Sequence, residues 1–379
     1  MPASMTLWRG GVLAACSAVF SPGVLVGAAD EQYQAVVDRA VADGVPGVQA
    51  FVRRGQSSWR GTAGVSSVEQ GRRMSGSDRI RLASITKMMT YAAVMKLVKE
   101  DRLQLTDRVH AHLPPGTLAG IPHADEINVL QLLEHNSGLH NFNGEDGNDF
   151  FRDLFSDPNW GTRVWSASQL VAYARKSENP PTARPGAKGR SYSSTGYIVL
   201  EMMLEHLEQK PFHAILRERL FAPLGMSSAG VEGADFGAHQ IVDSYARPAV
   251  ADVIGSSPFR GDRVRKDGLV NLSAGLKHYN AWARGAGAVA ASAEDLAKFM
   301  DAVQTGRVTV LSDQSRQFDE SKRKPGKHLS WNGGARGIQA SILYEPARER
   351  TVIVLTNASN VGLSSNDIAK QLLSAARDA

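Results

Sequence analysis

Cysteine occurs once in the 379 residues, at Cys16. A lone thiol near the start leaves the body of the chain without an internal disulfide, a cysteine nucleophile or a cysteine-ligated metal. No later apolar stretch reaches the roughly 20 residues of a membrane span. The nucleophile elbow G-x-S-x-G and the zinc motif H-E-x-x-H are both missing. His110, His112 and His123 beside Pro114-Pro115 read as a surface loop rather than a metal site, so no metal and no cofactor are expected. Basic residues outnumber acidic ones only slightly, 43 to 38. Without a basic helix or aromatic–basic interleaving, nucleic-acid binding is excluded. The basic run Lys322–Lys327 reads as a solvated loop. What remains, 42% hydrophobic and 21% charged residues, describes a globular protein with a large core.

The N-terminus has the pattern of an export signal over residues 1–29. Arg9 precedes an apolar, small-residue stretch from Gly10 to Phe20, and small residues lead to Ala28-Ala29. Leu13-Ala14-Ala15-Cys16 also fits a lipoprotein signal. The apolar run before it is short, so soluble export to the periplasm or medium ranks ahead of lipid anchoring.

The most informative stretch is Ser84-Ile85-Thr86-Lys87, at the entry of an apolar helix ending near Glu100. Residues three apart on a helix share a face, so the Ser84 hydroxyl and the Lys87 amine can touch. A desolvated lysine can activate a serine as nucleophile. A helix cap would favour an acidic residue at the third position. Here a lysine stands at the positive end of the helix dipole, among Ile85, Met88, Met89 and Ala92, where charge is costly. The second S-x-x-K, at Ser321, lies in a polar run and reads as chance.

Helices are expected over 31–43, 127–134, 168–176, 192–208, 212–220, 292–303 and 365–376. Hairpins are expected from 48–52 with 58–63 and from 339–344 with 350–356. Residues 230–270 show no readable pattern. Strands at both ends with a helical middle suggest an α+β fold, one antiparallel sheet built from distant segments. The lobes would be 30–105 with 265–379 (α/β) and 106–264 (mostly helical), the site lying in the cleft between them.

Three further stretches could converge on Ser84. Tyr192 stands at a loop-to-helix entry, where a phenol can relay a proton. Ser330-Trp331-Asn332-Gly333-Gly334 is a glycine-rich approach to a strand, suited to backbone N–H donors near a ligand. His135-Asn136-Ser137-Gly138 reads as a helix-stop turn.

In this order the motifs resemble the serine β-lactamase and penicillin-binding-protein family. The likeness is strongest to its class C-like branch of D,D-peptidases, D-aminopeptidases and carboxylesterases. The resemblance runs from Val45-Pro46-Gly47-Val48 through Leu132–Leu139, Tyr192–Tyr197, Leu220–Met226 and Ala291–Leu296 to Leu355-Thr356-Asn357. It implies Ser84 as acylated nucleophile, Lys87 as base and Tyr192 as proton shuttle. It also implies an oxyanion hole from the backbone N–H groups of Ser84 and Gly334, and substrate contacts from Ser194, Trp331, Asn332 and Gly333. Two positions depart from the pattern. Ser194 replaces the Asn of Tyr-x-Asn, and Trp331 replaces a cation. Both point away from β-lactams and D,D-peptides and toward small esters, with His328 a conceivable substitute cation. The expected partner is a small ester or peptide-like molecule. Two readings compete: a D,D-peptidase, D-aminopeptidase or weak β-lactamase acting on cell-wall-type amides, and a non-catalytic envelope binding protein that keeps the fold.

Overall fold

The strand Arg350–Thr356 (β11) is buried along its whole length. Ile353 and Leu355 enter one hydrophobic core, and Val352 and Val354 enter another. A strand covered on both faces reads as an unbroken apolar run, because successive side chains alternate sides. In the computed structural model, which describes residues 27–144, 149–156, 163–176, 184–186, 191–247, 264–265, 267–276, 279–310 and 327–378, β11 lies inside a six-stranded antiparallel sheet. On one side are β1 (Gly47–Arg54), β2 (Ser57–Ser67) and β3 (Arg72–Arg73); on the other are β10 (Ile338–Glu345) and the edge strand β9 (Leu329–Ala335). Pairing of β1 with β11, from Val48 opposite Thr356 to Arg54 opposite Arg350, joins the two ends of the chain. The fold is α+β, as the sequence suggests.

Helices α1 (Ala28–Ala42) and α10 (Ser365–Asp378) cover one face of the sheet through Tyr33, Val37, Ile368 and Leu372. On the other face the helix at Ala293–Gln304 packs against β1 and β11, over a core that also holds α2 (Thr86–Lys99). The helices α3 (Val129–Leu133), α4 (Asp149–Ser156), α5 (Ala167–Lys176), α6 (Ser194–Glu208) and α7 (Phe212–Leu216) follow it, then α8 (Tyr279–Gly287) and α9 (Ala293–Gln304). Two small three-stranded sheets complete the frame. One has the order β4 (Ile80–Arg81), β8 (Val289–Ala291), β5 (Gly230–Val231). The other has the order β12 (Ala358–Ser359), β6 (Tyr245–Ala246), β7 (Val270–Asn271).

Differences from the sequence expectation have physical reasons. Residues 230–270 hold two-residue strands, too short to show alternation. The glycine-rich stretch at 330–334 is itself a strand, although glycine has little β preference. Helix α7 stops at Leu216 and widens into a π turn over Arg217–Phe221. Most of the export-signal region (residues 1–26) and Ser321 lie outside the described residues, and α1 begins where cleavage was expected. Among the described residues no helix is long and apolar enough to cross a membrane.

One buried ion pair ties the strand before Ser84 to the rest of the frame. Arg81 Nε and Nη2 donate to Glu232 Oε2 and Oε1 at 2.7 and 2.6 Å, and Nη1 donates to Ser244 Oγ at 3.1 Å. Removing one partner strands the other charge in the core. Glu232→Ala should therefore cost about 3–5 kcal/mol in urea unfolding, and a loss near zero would show that the pair holds nothing.

Candidate active site

The chain leaves β4, bends at Ala83 and enters α2 through a 3-10 turn over Ala83–Ile85. Ala83 has φ +46°, a left-handed conformation unfavourable for an L side chain. This bend presents Ser84 at a cavity of about 830 Å3 whose described wall also includes Lys87, Ser194 and Gly334. Ser84 Oγ lies 2.8 Å from the Tyr192 hydroxyl and 3.3 Å from Lys87 Nζ. Lys87 also donates to Ala286 O at 2.9 Å, and its Nζ sits 4.9 Å from the centre of the Tyr192 ring. Sequence reasoning thus named three side chains that the fold brings together from α2 and the entry to α6.

Lys87 is buried, and burial pulls its amine below the ordinary lysine range while Tyr192 pulls it back up. Its place in the first turn of α2 works in the same direction as burial, since the helix N-terminus is positive. Tyr192, by contrast, is 49% exposed, so its hydroxyl can exchange a proton with solvent or a departing group. Its ring stacks on His135 with centroids 4.5 Å apart. His135 Nδ1 accepts from the Ser193 N–H at 3.2 Å. His135 therefore holds Tyr192 from below. The turn His135–Gly138 gave no sign of this, because stacking across 57 residues leaves no local pattern.

The glycine strand divides its residues between two faces. Gly333 lies so close to the nucleophile turn that a Cβ would sit 2.1 Å from Leu82 O and 3.2 Å from the Ile85 N. Trp331 packs on the same core, whereas Asn332 Oδ1 accepts from Ser341 Oγ on β10, outside the cavity wall. Gly334 does line the cavity. Because β9 is an edge strand, alternate backbone N–H groups on it meet no neighbouring strand. Ser194, buried at the first position of α6, lines the cavity and donates its N–H to Asn141 Oδ1 at 2.8 Å. His328 is not among the described lining residues; the basic residue of the described lining besides Lys87 is Arg336.

Behind Lys87 the segment 284–286 is clamped from α6. Glu201 is buried; its Oε2 accepts the Gly285 N–H at 2.7 Å and its Oε1 lies 2.5 Å from Arg284 Nη2. Arg284 itself has φ +42°, and Gly285 O takes a hydrogen bond from Thr90 Oγ1 at 2.6 Å. The carbonyl that receives Lys87 is thus positioned by a strained turn and a buried carboxylate. Burial raises the Glu201 carboxyl to about 7, against the opposing pull of Arg284. A raised folded-state pKa contributes stability that is full below the unfolded value and is lost as pH rises through about 7. Wild type should lose up to about 1.4 kcal/mol per pH unit across that window relative to Glu201→Gln. Urea unfolding of both proteins at pH 5, 6 and 7 reads this directly; a constant difference would refute it.

Comparison with known proteins agrees with this geometry. A family model described as Beta-lactamase matches residues 33–376. The chain is 22% identical over 312 residues to penicillin-binding protein 4* of Bacillus subtilis (strain 168), covering 78% of this chain and 64% of that protein. It is 28% identical over 206 residues to esterase EstB of Burkholderia gladioli, covering 53% of this chain and 51% of that one. The chain thus spans less than two thirds of the length of these curated relatives. The crystal structure of D-amino acid amidase from Ochrobactrum anthropi SV3 complexed with D-phenylalanine superposes with a TM-score of 0.74 at 22% identity, covering 92% and 99% of the two chains. With the motifs, the fold and the family model in agreement, the chain belongs to the β-lactamase family.

Proposed function

We propose that this protein is a serine hydrolase that forms an acyl-enzyme on Ser84 and releases carboxylic acids from small esters. The observation that carries the reading is Ser84 Oγ held between a buried lysine amine and an exposed tyrosine hydroxyl at the wall of a large cavity. Lys87, desolvated, takes the Ser84 proton as Oγ attacks the acyl carbon. The backbone N–H groups of Ser84 and Gly334 receive the developing oxyanion. Tyr192 then passes a proton to the leaving group, and a water molecule hydrolyses the acyl-serine with the same groups acting in reverse. A binding protein would have no chemical use for Lys87 kept in the core beside Ser84.

Esters are preferred over D,D-peptides because Trp331 packs on the core where the family pattern has a cation. The apolar wall of Phe151, Leu154 and Trp282 suits a bulky acyl group. The N-terminal pattern supports export as the setting.

A fluorophosphonate probe followed by intact mass should show one adduct on wild type and none on Ser84→Ala; an equal adduct on both would sink the enzyme reading. Short-chain p-nitrophenyl esters should turn over faster than a β-lactam or a D-Ala-D-Ala peptide, and the opposite order would overturn the ester preference. Lys87→Met should lower the acylation rate by at least about a thousandfold. The same substitution should stabilise the fold. A lysine whose folded pKa is depressed contributes stability only above the ordinary lysine value, and that contribution is lost as pH falls through the folded one. At pH 7 the variant should gain roughly 1–2 °C in Tm for each kcal/mol recovered; an unchanged or lower Tm would contradict the burial cost.

A further inference from the structure

Lys87 can take a proton from Ser84 only if its lone pair faces that hydroxyl. A neutral amine has two N–H bonds and one lone pair, so the group that accepts an N–H decides where the lone pair points. Ala286 O is such an acceptor, 2.9 Å from Nζ, and Ser84 Oγ lies 3.3 Å from the same nitrogen. The carbonyl in turn follows Gly285, which two helices grip. The Gly285 N–H donates to Glu201 Oε2 on α6 at 2.7 Å, and its C=O accepts from Thr90 Oγ1 on α2 at 2.6 Å. Gly285 also runs so near α6 that a Cβ would sit 2.9 Å from Tyr197 O and 2.9 Å from Glu201 Cβ. Arg284 leads into it at φ +42° and ψ −139°, a backbone conformation that persists only where the surroundings impose it. Its Nη2 lies 2.5 Å from Glu201 Oε1 and 3.8 Å from Glu205 Oε2.

Stability does not account for a glutamate here. Replacing a buried ion pair by apolar residues of similar volume is often neutral or stabilising. What Glu201 adds is an oxygen for the Gly285 N–H, available whether the carboxyl is ionised or protonated. We propose that Glu201 is a positioning residue for acylation: its grip on Gly285 fixes the Ala286 carbonyl, which turns the Lys87 lone pair toward the Ser84 proton. That proton moves to Nζ, leaving an ammonium, as Oγ bonds to the acyl carbon. With the grip released, the strained segment relaxes, Ala286 O shifts and the lone pair no longer stays aimed at Ser84. Glu201 is absent from the described cavity wall, so its effect passes through Lys87 rather than through contact with substrate.

This role rests on acylation of Ser84, so acylation is what is measured. Intact mass of the fluorophosphonate adduct over time gives two quantities, the labelling rate constant and the fraction labelled at completion. A residue needed only for folding lowers the fraction, whereas a positioning residue lowers the rate constant. Glu201→Met should slow labelling by about a hundredfold, and kcat/KM for p-nitrophenyl acetate should fall in parallel. Glu201→Gln keeps an oxygen for Gly285 and should stay within about tenfold of wild type. Glu205→Gln changes the other carboxyl beside Arg284 but not the grip, and should stay within about twofold. If Glu201→Met yields no folded protein, Gly285→Ala takes its place: the added Cβ pushes the segment off α6 and should slow labelling by at least about tenfold. The role is overturned if the rate constant of the variant used stays within about threefold of wild type. It is equally overturned by a loss confined to the labelled fraction, by Glu201→Gln as slow as Glu201→Met, or by Glu205→Gln as slow as either. An adduct that forms at unmoved rates removes only the role of Glu201; no adduct on wild type removes the hydrolase reading with it.

Discussion

Burial of a single amine organises this protein. Lys87 stands in a helix turn whose neighbours Thr86, Met88 and Met89 are all buried, and its amine ends between Ser84 Oγ and Ala286 O. Keeping an ammonium there would be expensive, so the environment favours the neutral base. That expense is met by structure elsewhere. The Arg81–Glu232 pair anchors the strand leading to Ser84, and the left-handed bend at Ala83 turns the hydroxyl toward the cavity. Glu201 and Arg284 fix the carbonyl segment that receives the lysine. A site with three left-handed non-glycine residues, Ala83, His135 and Arg284, stores backbone strain where the chemistry needs geometry.

The entry to α6 fixes two parts of the site. Its first residues place Tyr192 against Ser84 and, through Ser194 and Thr195, hold the 140–143 loop that forms the cavity wall. His135 adds a stacking surface beneath the tyrosine. The placements of Tyr192 and of the 140–143 loop therefore depend on one helix terminus. A change at Thr195, which touches neither Ser84 nor the cavity, would displace both.

Much of the site was legible because its chemistry is local or follows a motif. Ser84 and Lys87 are one helical step apart, and a lysine inside an apolar run stands out without a structure. Tyr192 came from the family pattern and proved to lie within hydrogen-bond reach. Asn332, read as a substrate contact, stands opposite Ser341 on β10, accepts a hydrogen bond from its hydroxyl and is not among the described cavity-lining residues, although it shares a strand face with Gly334. Trp331 and Gly333 face the core side of the same strand. His135 and Glu201 carried no signal, because each acts on residues tens of positions away.

By itself the sequence determined the α+β class, the pairing of apolar strands from both chain ends, and the closeness of Ser84 to a buried Lys87. Those follow from periodicity, from helical spacing and from the cost of burying charge, which are properties of neighbouring residues. Only the tertiary structure decided which residues line the cavity: Ser194, Gly334 and Arg336 among them, Asn332 not. Facing is set by strand register and by hydrogen bonds between distant loops, and neither is written in any local stretch of the chain.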